Sequence, residues 1–354
     1  MEENRAMSLA PATPKHREVE RQLRSEILAG VWSVGERIPA EPALARRFGV
    51  AYMTVRQAVS SLVTEGLLQR VNGKGTFVLP QRTPDISAGT SAPLALLVPG
   101  LWQRYDPLYF PDVRSGFEEG MRQAEQPFTL LDSADAITAD TIVACLLADK
   151  EDVRLIERLK DRGCRVIAIN RYAGRRVIPS IAIDNAGGTA LAVEHLVSLG
   201  HARIGFLSGW PGNVDGAERK RGFVTAMRAH RLPADLEAGR GFREERGYQG
   251  AVELLARPDR PTALVAASDL AAIGAIKAAQ DSGLSVPGDL SVVGFGDFSV
   301  AAYWPVGLTT IYQPRRELGV AAAHALVTLR HGETVRNRLL PMHLIERGTT
   351  GPPC

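Results

Sequence analysis

Arg56 and Gln57 stand side by side in the run YMTVRQAV, Tyr52 to Val59. Both side chains can make paired hydrogen bonds to one base, arginine to guanine and glutamine to adenine. The apolar residues Val55, Val59, Leu62 and Val63 fall at helical spacing, so Tyr52, Met53, Thr54, Arg56, Gln57 and Ser60 share the opposite, exposed face. Thr54 suits a phosphate contact or a helix cap, and Arg46, Arg47 and Lys74 can meet the phosphate backbone. Double-stranded DNA is the partner this chemistry describes. A small helical module with a solvated charged face is the other reading of the same pattern.

Elements able to position these residues are legible around them. A helix is expected from His16 to Ala29, with Val19, Leu23 and Ile27 four apart and Gly30 as its stop. A short helix follows IPAE and ends at Gly49, and a third starts near Tyr52 and closes at Gly66. The phrases LLQRV, NGKG and TFVL then read as two strands around a glycine turn. Three helices and a hairpin make a winged helix-turn-helix over residues 15–80. Charge agrees, because residues 15–80 hold ten Lys/Arg against six Asp/Glu, while the net charge of the whole chain is +3.

Residues 1–14 read as a loose tail and 81–93, rich in Pro, Ser, Thr and Gly, as a linker. Beyond it, short continuous apolar runs (LALLVP, FTLLDS, TIVACLL, RVIAIN, SIAID, RIGFLSG, TALVAAS, LSVVGFG and LTTIYQ) alternate with helical segments. Those helices include 113–126, 153–162, 186–199, 217–230 and 270–281. Alternation of this kind means parallel sheets covered on both faces. Ligands bind such sheets outside the carboxyl ends of the strands. Candidate residues there are Pro99 and Gly100 with the following YDPLYF loop, which includes Tyr109 and Phe110. Asn170, Arg171, Asp184, Trp210, Ser268, Asp269, Gly296 and Asp297 complete the set. Polar groups beside rings suit a hydroxylated small molecule; taken one at a time, each residue also reads as a loop cap, an Asp269 capping the next helix included.

Other chemistries find little support. The three cysteines have no metal spacing and read as reduced thiols. GKGT lacks the first glycine of a phosphate loop, FLSGW is not a nucleophile elbow, and no paired carboxylates suggest acid/base work. His195 and His201 flank a helix end, where capping or surface roles are expected. No cofactor, metal or catalytic residue is expected, and the protein is not expected to be an enzyme. No run spans a bilayer and the first residues lack a signal-peptide core, which points to the cytoplasm.

The stretch from Leu23 to Val78, ending in the phrase GTFV, resembles the DNA-binding domain of the GntR family of bacterial transcription regulators. That resemblance implies that Arg56 contacts DNA. Here Ala51 and Tyr52 stand where the family usually has Ser or Thr and then Arg, Ala40 replaces a usual Ser, and Pro42 a usual polar or basic residue. VEHLVSLGHARIGFLSG, ERKRGF, the long run from Pro261 to Ile311 and HLIERGTT resemble the LacI-type effector core, which is similar to periplasmic sugar-binding proteins. The combination looks like the arabinose-repressor subgroup. It implies a multidomain fold: an N-terminal winged helix-turn-helix plus a two-lobed α/β periplasmic-binding-protein-like domain with parallel sheets over 94–350, and a short tail at 351–354.

The resemblance further implies a homodimeric repressor of operator DNA, controlled by a sugar or sugar derivative in the cleft. It assigns Arg219 to ligand binding, Phe242 to stacking on a ring, and Ser268 and Asp269 to the cleft wall. The family phrase GFDD reads GFGD here, so Gly296 offers no carboxylate and Asp297 is the next one along. After LLDSADA the chain is too short for a full helix and a strand, so either that helix is reduced or the first lobe is trimmed.

Overall fold

Val19, Leu23 and Ile27 lie on one stripe of helix α1 (Lys15–Leu28), and all three are buried, which is how an amphipathic helix meets a core. The computed structural model describes residues 15–28, 31–33, 35–64, 67–71, 75–79, 92–100, 109–172 and 174–354. Helix α2 (Glu41–Phe48) accepts Pro42 in its first turn, where no intrahelical N–H is needed, and ends on Gly49 at φ 62°. Helix α3 (Tyr52–Thr64) buries Val55, Ala58, Val59 and Leu62 completely. Strands β1 (Leu68–Val71) and β2 (Gly75–Val78) pair antiparallel, Leu68 opposite Val78. Residues 35–38 hydrogen-bond along β2 and place Ile38 in the same core. The expected three helices and hairpin are thus present; the tail, Gly66 and the wing tip with Lys74 lie outside the described residues.

The chain divides into two compact units, Met1–Ala88 and Gly89–Cys354. The second begins with β3 (Leu94–Leu97), α4 (Tyr109–Gln123), β4 (Thr129–Leu131), β5 (Ile142–Leu146), α5 (Lys150–Asp161), β6 (Arg165–Ile169) and β7 (Ser180–Ile183). It continues through α6 (Asn185–Ser198), β8 (Ile204–Ser208), α7 (Val214–Ala229), β9 (Glu237–Gly239), α8 (Glu244–Leu255), β10 (Ala263–Ala266) and α9 (Asp269–Asp281). Last come β11 (Ser291–Gly296), α10 (Ser299–Tyr303), β12 (Thr310–Tyr312), α11 (Arg315–Arg330), β13 (Arg338–Leu340) and β14 (His343–Ile345).

Two six-stranded sheets result, ordered β13-β7-β6-β5-β3-β4 and β14-β12-β11-β10-β8-β9. Every pairing is parallel except β12 with β14. The chain passes between the lobes three times: after β7, between β12 and α11, and between β13 and β14. Fully buried strands such as β3, β5 and β10 explain the continuous apolar runs of the sequence.

The stretch 132–141 between β4 and β5 holds only bends and turns, with Ile137 buried beneath them, so the reduced-helix alternative is the one realised in the first lobe. Helices α4 and α11 pack closely through glycines. A Cβ on Gly319 would sit 2.0 Å from the Val113 carbonyl oxygen, and one on Gly116 would sit 1.9 Å from that of Arg316. Backbone cannot yield as a side chain does, so Gly319→Ala is expected to cost about 2–3 kcal/mol. Urea denaturation followed on the full chain would measure this; an unchanged midpoint would contradict the close approach.

Candidate functional site

On the first unit, Tyr52 and Met53 are 44% and 64% exposed, Arg56 and Gln57 are exposed, and Thr54 is half-buried. Since Val55 and Val59 are buried, helical geometry turns Arg56 and Gln57 to the open face. The four candidate arginines and lysines divide. Arg46 and Arg56 form no ion pair among the described residues. Arg47 pairs with Glu26 and lies 5.8 Å from the Trp32 ring and 5.2 Å from the Phe48 ring. Its charge is therefore held by its own unit, since an internal carboxylate and two ring faces already satisfy it. Lys74 is outside the described residues. Sequence reasoning missed Arg70 on β1, which donates to Glu41 Oε1 at 2.6 Å and approaches the Arg56 carbonyl at 3.5 Å. That contact ties the wing to the two helices in front of it, and only its place beside the glycine turn hinted at it.

In the second unit, residues of the two lobes line a common cleft. From the first lobe come Tyr109, the first residue of α4, and Asn170, just beyond β6. Tyr109 Oη donates to Asn170 Oδ1 at 2.9 Å, and Asn170 Nδ2 donates to the Leu147 carbonyl at 2.9 Å. Asn170 adopts φ 77°, a left-handed conformation that asparagine tolerates better than most residues. Burial pushes the Tyr109 phenol far up, so it stays protonated and remains a donor.

From the second lobe come Asp215 and Arg219, one turn apart on α7. Arg219 Nε donates to Asn185 Oδ1 at 2.8 Å and Nη1 donates to the Ala267 carbonyl. Its guanidinium lies 4.0 Å from the Phe295 ring and 5.6 Å from that of Phe242. Asn185 Nδ2 donates to Asp215 Oδ1 at 3.2 Å. Burial raises the Asp215 carboxyl to about 6; Arg219 pulls against this and Glu218 adds to it. Asn213 caps α7 through its Oδ1 and crosses to the other lobe by donating from Nδ2 to the Ala148 carbonyl at 3.1 Å. Phe295, Phe298, Ser268 and Gln313 complete the lining. Gln313 is 2% exposed and its Nε2 has no hydrogen-bond partner, leaving a buried donor that a bound molecule can satisfy.

Five of the eight candidates for this cleft therefore meet there: Tyr109, Asn170, Arg219, Phe242 and Ser268. Phe110 instead points into the hydrophobic core. Asp269 is buried beneath the cleft, where its carboxylate accepts from the Phe298 N–H at 2.7 Å and from the Thr310 hydroxyl. Burial raises it to about 6. Asp297 is held by Arg347 at 2.7 Å. The α9 cap is Ser268, whose Oγ accepts from the Ala271 N–H, and not Asp269. Asp184 caps α6, and Arg171 pairs across the lobes with Glu218 at 3.3 Å. Trp210 lies edge-on to Phe242, 5.8 Å between centroids, and is not among the residues that line the cleft. Asn185, Asn213, Asp215, Phe295, Phe298 and Gln313 were not found from sequence, although Phe298 and Gln313 follow strand ends and Asp215 precedes Arg219 by one helical turn.

A winged helix-turn-helix joined in one chain to a two-lobed α/β unit with a polar and aromatic cleft defines a DNA-binding regulator of the ligand-responsive class. Residues 15–78 match the bacterial regulatory proteins of the gntR family, and residues 193–350 match the periplasmic binding protein-like domain. Over 95% of its length the chain is 29% identical to the arabinose metabolism transcriptional repressor of Geobacillus stearothermophilus, 98% of which is covered. Over half of its length it is 36% identical to the lactose operon repressor of Escherichia coli K12, of which 49% is covered. A crystal structure of a LacI family transcriptional regulator from Mycobacterium smegmatis matches 74% of the chain and all of that structure, with TM-score 0.61 and 27% identity. The chain thus joins a gntR-family DNA-binding domain to a periplasmic-binding-protein-like domain, the two parts of a GntR/LacI chimeric regulator. Its relatives are regulators and not enzymes. Among the described residues no helix is long and apolar enough to cross a membrane.

The Asp215 carboxyl gives the cleft a pH signature. A carboxyl raised to about 6 in the fold from 3.8 contributes stability that is complete below about pH 4 and is lost as pH rises through 6. His195 and His201, both lowered by burial, act in the opposite sense. Their effect cancels when a variant is compared with the parent. Asp215→Asn is therefore expected to gain stability relative to the parent between pH 4 and pH 7. A difference in melting temperature that stays flat over that range would show that Asp215 does not titrate in the fold.

Proposed function

We propose that the protein is a homodimeric repressor, acting in the cytoplasm, whose affinity for operator DNA is set by a sugar or sugar derivative in the cleft. The observation that carries this reading is convergence: Tyr109 and Asn170 from one lobe and Asp215 and Arg219 from the other line one cavity. Donors, acceptors and the rings of Phe242, Phe295 and Phe298 are what a hydroxylated ring requires. The name of the arabinose metabolism repressor supports the same class of ligand. In this reading residues 15–80 form the DNA-binding domain, 81–93 the linker, and 94–350 the effector-binding and dimerisation domain. Arg56 and Gln57 read bases, with Tyr52 beside them, and Arg46, Thr54 and Lys74 meet phosphates. Phe110, Asp269 and Asp297 act behind the cleft by packing or by holding its walls.

Binding to the native state alone raises stability, by about 2.7 kcal/mol at a ligand concentration of 100 Kd. A thermal-shift screen of sugars, sugar acids, polyols and nucleosides is expected to find at least one stabilising compound. Arg219→Ala is expected to abolish that shift and the effector response while leaving operator binding intact, and a normal response would remove Arg219 from the site. On the DNA side, Arg56→Ala is expected to flatten preference among sequences. Lys74→Ala is expected to weaken all sequences alike and reduce the salt slope. Identical behaviour of the two variants in binding titrations would contradict this division.

A further inference from the structure

We propose that Tyr52 and Met53 read operator DNA through the 5-methyl groups of thymine. The proposal rests on α3 being the helix that enters the groove and concerns what its first turn recognises there. Residues 52, 53, 56, 57 and 60 form one stripe of α3, opposite the fully buried Val55, Ala58, Val59 and Leu62. Singly exposed apolar residues are ordinary on a protein surface, so what marks Tyr52 and Met53 is that they are adjacent and share the open face of one helix. In the described part of this unit the large exposed ones are Val31, Tyr52 and Met53, and two of the three open the helix whose first residues reach base edges. In the major groove, the apolar feature that a base pair presents is the thymine C5-methyl. A thioether, polarisable and adaptable, and a phenol ring are suited to cover it.

The charges nearby push recognition the same way. Within this unit Arg47 pairs with Glu26 and Arg70 with Glu41, whereas Arg56 forms no ion pair among the described residues. Arg56 and Gln57 remain for hydrogen-bonded readout. Residues three and four apart on a helix have Cβ atoms about 5–6 Å apart, so Met53 stands beside both Arg56 and Gln57. The methyl it covers therefore belongs within about two base pairs of the base those residues contact, given the 3.4 Å rise per base pair along each strand.

The test begins with duplexes enriched from a random library by the full-length protein. Each thymine in the enriched core is then replaced by deoxyuridine, which removes the methyl and leaves every hydrogen-bonding group in place. At one or two positions the parent is expected to lose about four-fold in affinity, the size of one buried CH₂. Met53→Ala or Tyr52→Ala is expected to bind the thymine and uridine duplexes equally at those positions. Both side chains are exposed, so neither substitution opens a cavity, and unchanged melting temperatures would verify that. A methyl response retained in both variants, or no response at any thymine, overturns the proposal. Arg56→Ala separates the two levels of the argument. Sequence preference lost in that variant together with a flat uridine response tells against methyl readout alone. Sequence preference kept in that variant tells against α3 as the reading helix.

Discussion

Arg219 is 6% exposed, and an unpaired cation at that depth would cost several kcal/mol. Much of the cleft is arranged to meet that cost. Asn185 at the start of α6 supplies one oxygen and the Ala267 carbonyl at the end of β10 another, while Phe295 and Phe242 lend their ring faces. Asn185 also reaches Asp215, so one side chain orders both the cation and the carboxyl. Moving any of these elements would strand a buried charge. That is why the second-lobe wall of the cavity is fixed by the same contacts that stabilise the fold.

A second buried guanidinium works at the passage between lobes. Arg315, at the start of α11, donates to Asp112 Oδ2 on α4 at 2.9 Å and to the Gly296 carbonyl at the end of β11, and lies 4.2 Å from the Phe298 ring. The departure from GFDD to GFGD has its physical setting here. Gly296 adopts φ 140°, and a Cβ there would meet the Phe298 ring at 2.8 Å. A side chain at 296 would thus compete with the ring that lines the cleft and supports Arg315. The carboxylate missing at 296 is not replaced by Asp297, which Arg347 holds; the carboxyl that lines the cavity comes from Asp215 on another element.

Much of the fold was readable because burial writes itself as period. The head helices lay within two residues of their expected starts, and all nine strand runs matched strands, eight of them buried and β4 partly exposed. Strands β9, β13 and β14 were not legible: they are three residues long, with exposed residues such as Glu237, Arg338 and His343, and carry no apolar run. Helix α4 starts at Tyr109, earlier than expected, because Pro111 is tolerated in a first turn. The same shift explains Phe110. Neighbours on a helix point about 100° apart, so one of Tyr109 and Phe110 faces the cleft and the other the core, and only the phase of the helix decides which. The residues Asn185, Asn213 and Asp215 became a site only when two helix starts met in space.

Closing the cleft and reading its contents use different chemistry. The lobes touch through main-chain atoms, Val214 N–H and the Asn213 side chain both donating to the Ala148 carbonyl, and through the Arg171–Glu218 pair. Ala148 and Asn213 also line the cavity, whereas Arg171 and Glu218 are not among its lining residues. Selectivity is left to the few groups with capacity to spare, among them the Asp215 carboxyl and the Gln313 amide. The head divides in the same manner, with a sealed apolar stripe on α3 and four open side chains opposite it. An effector changes operator affinity only as far as its own affinity differs between the two states of the protein. Under the proposed function, selection of the ligand runs through Asp215 and Gln313 while the Arg171–Glu218 pair, outside the lining, bears on closure alone, so the two can change separately.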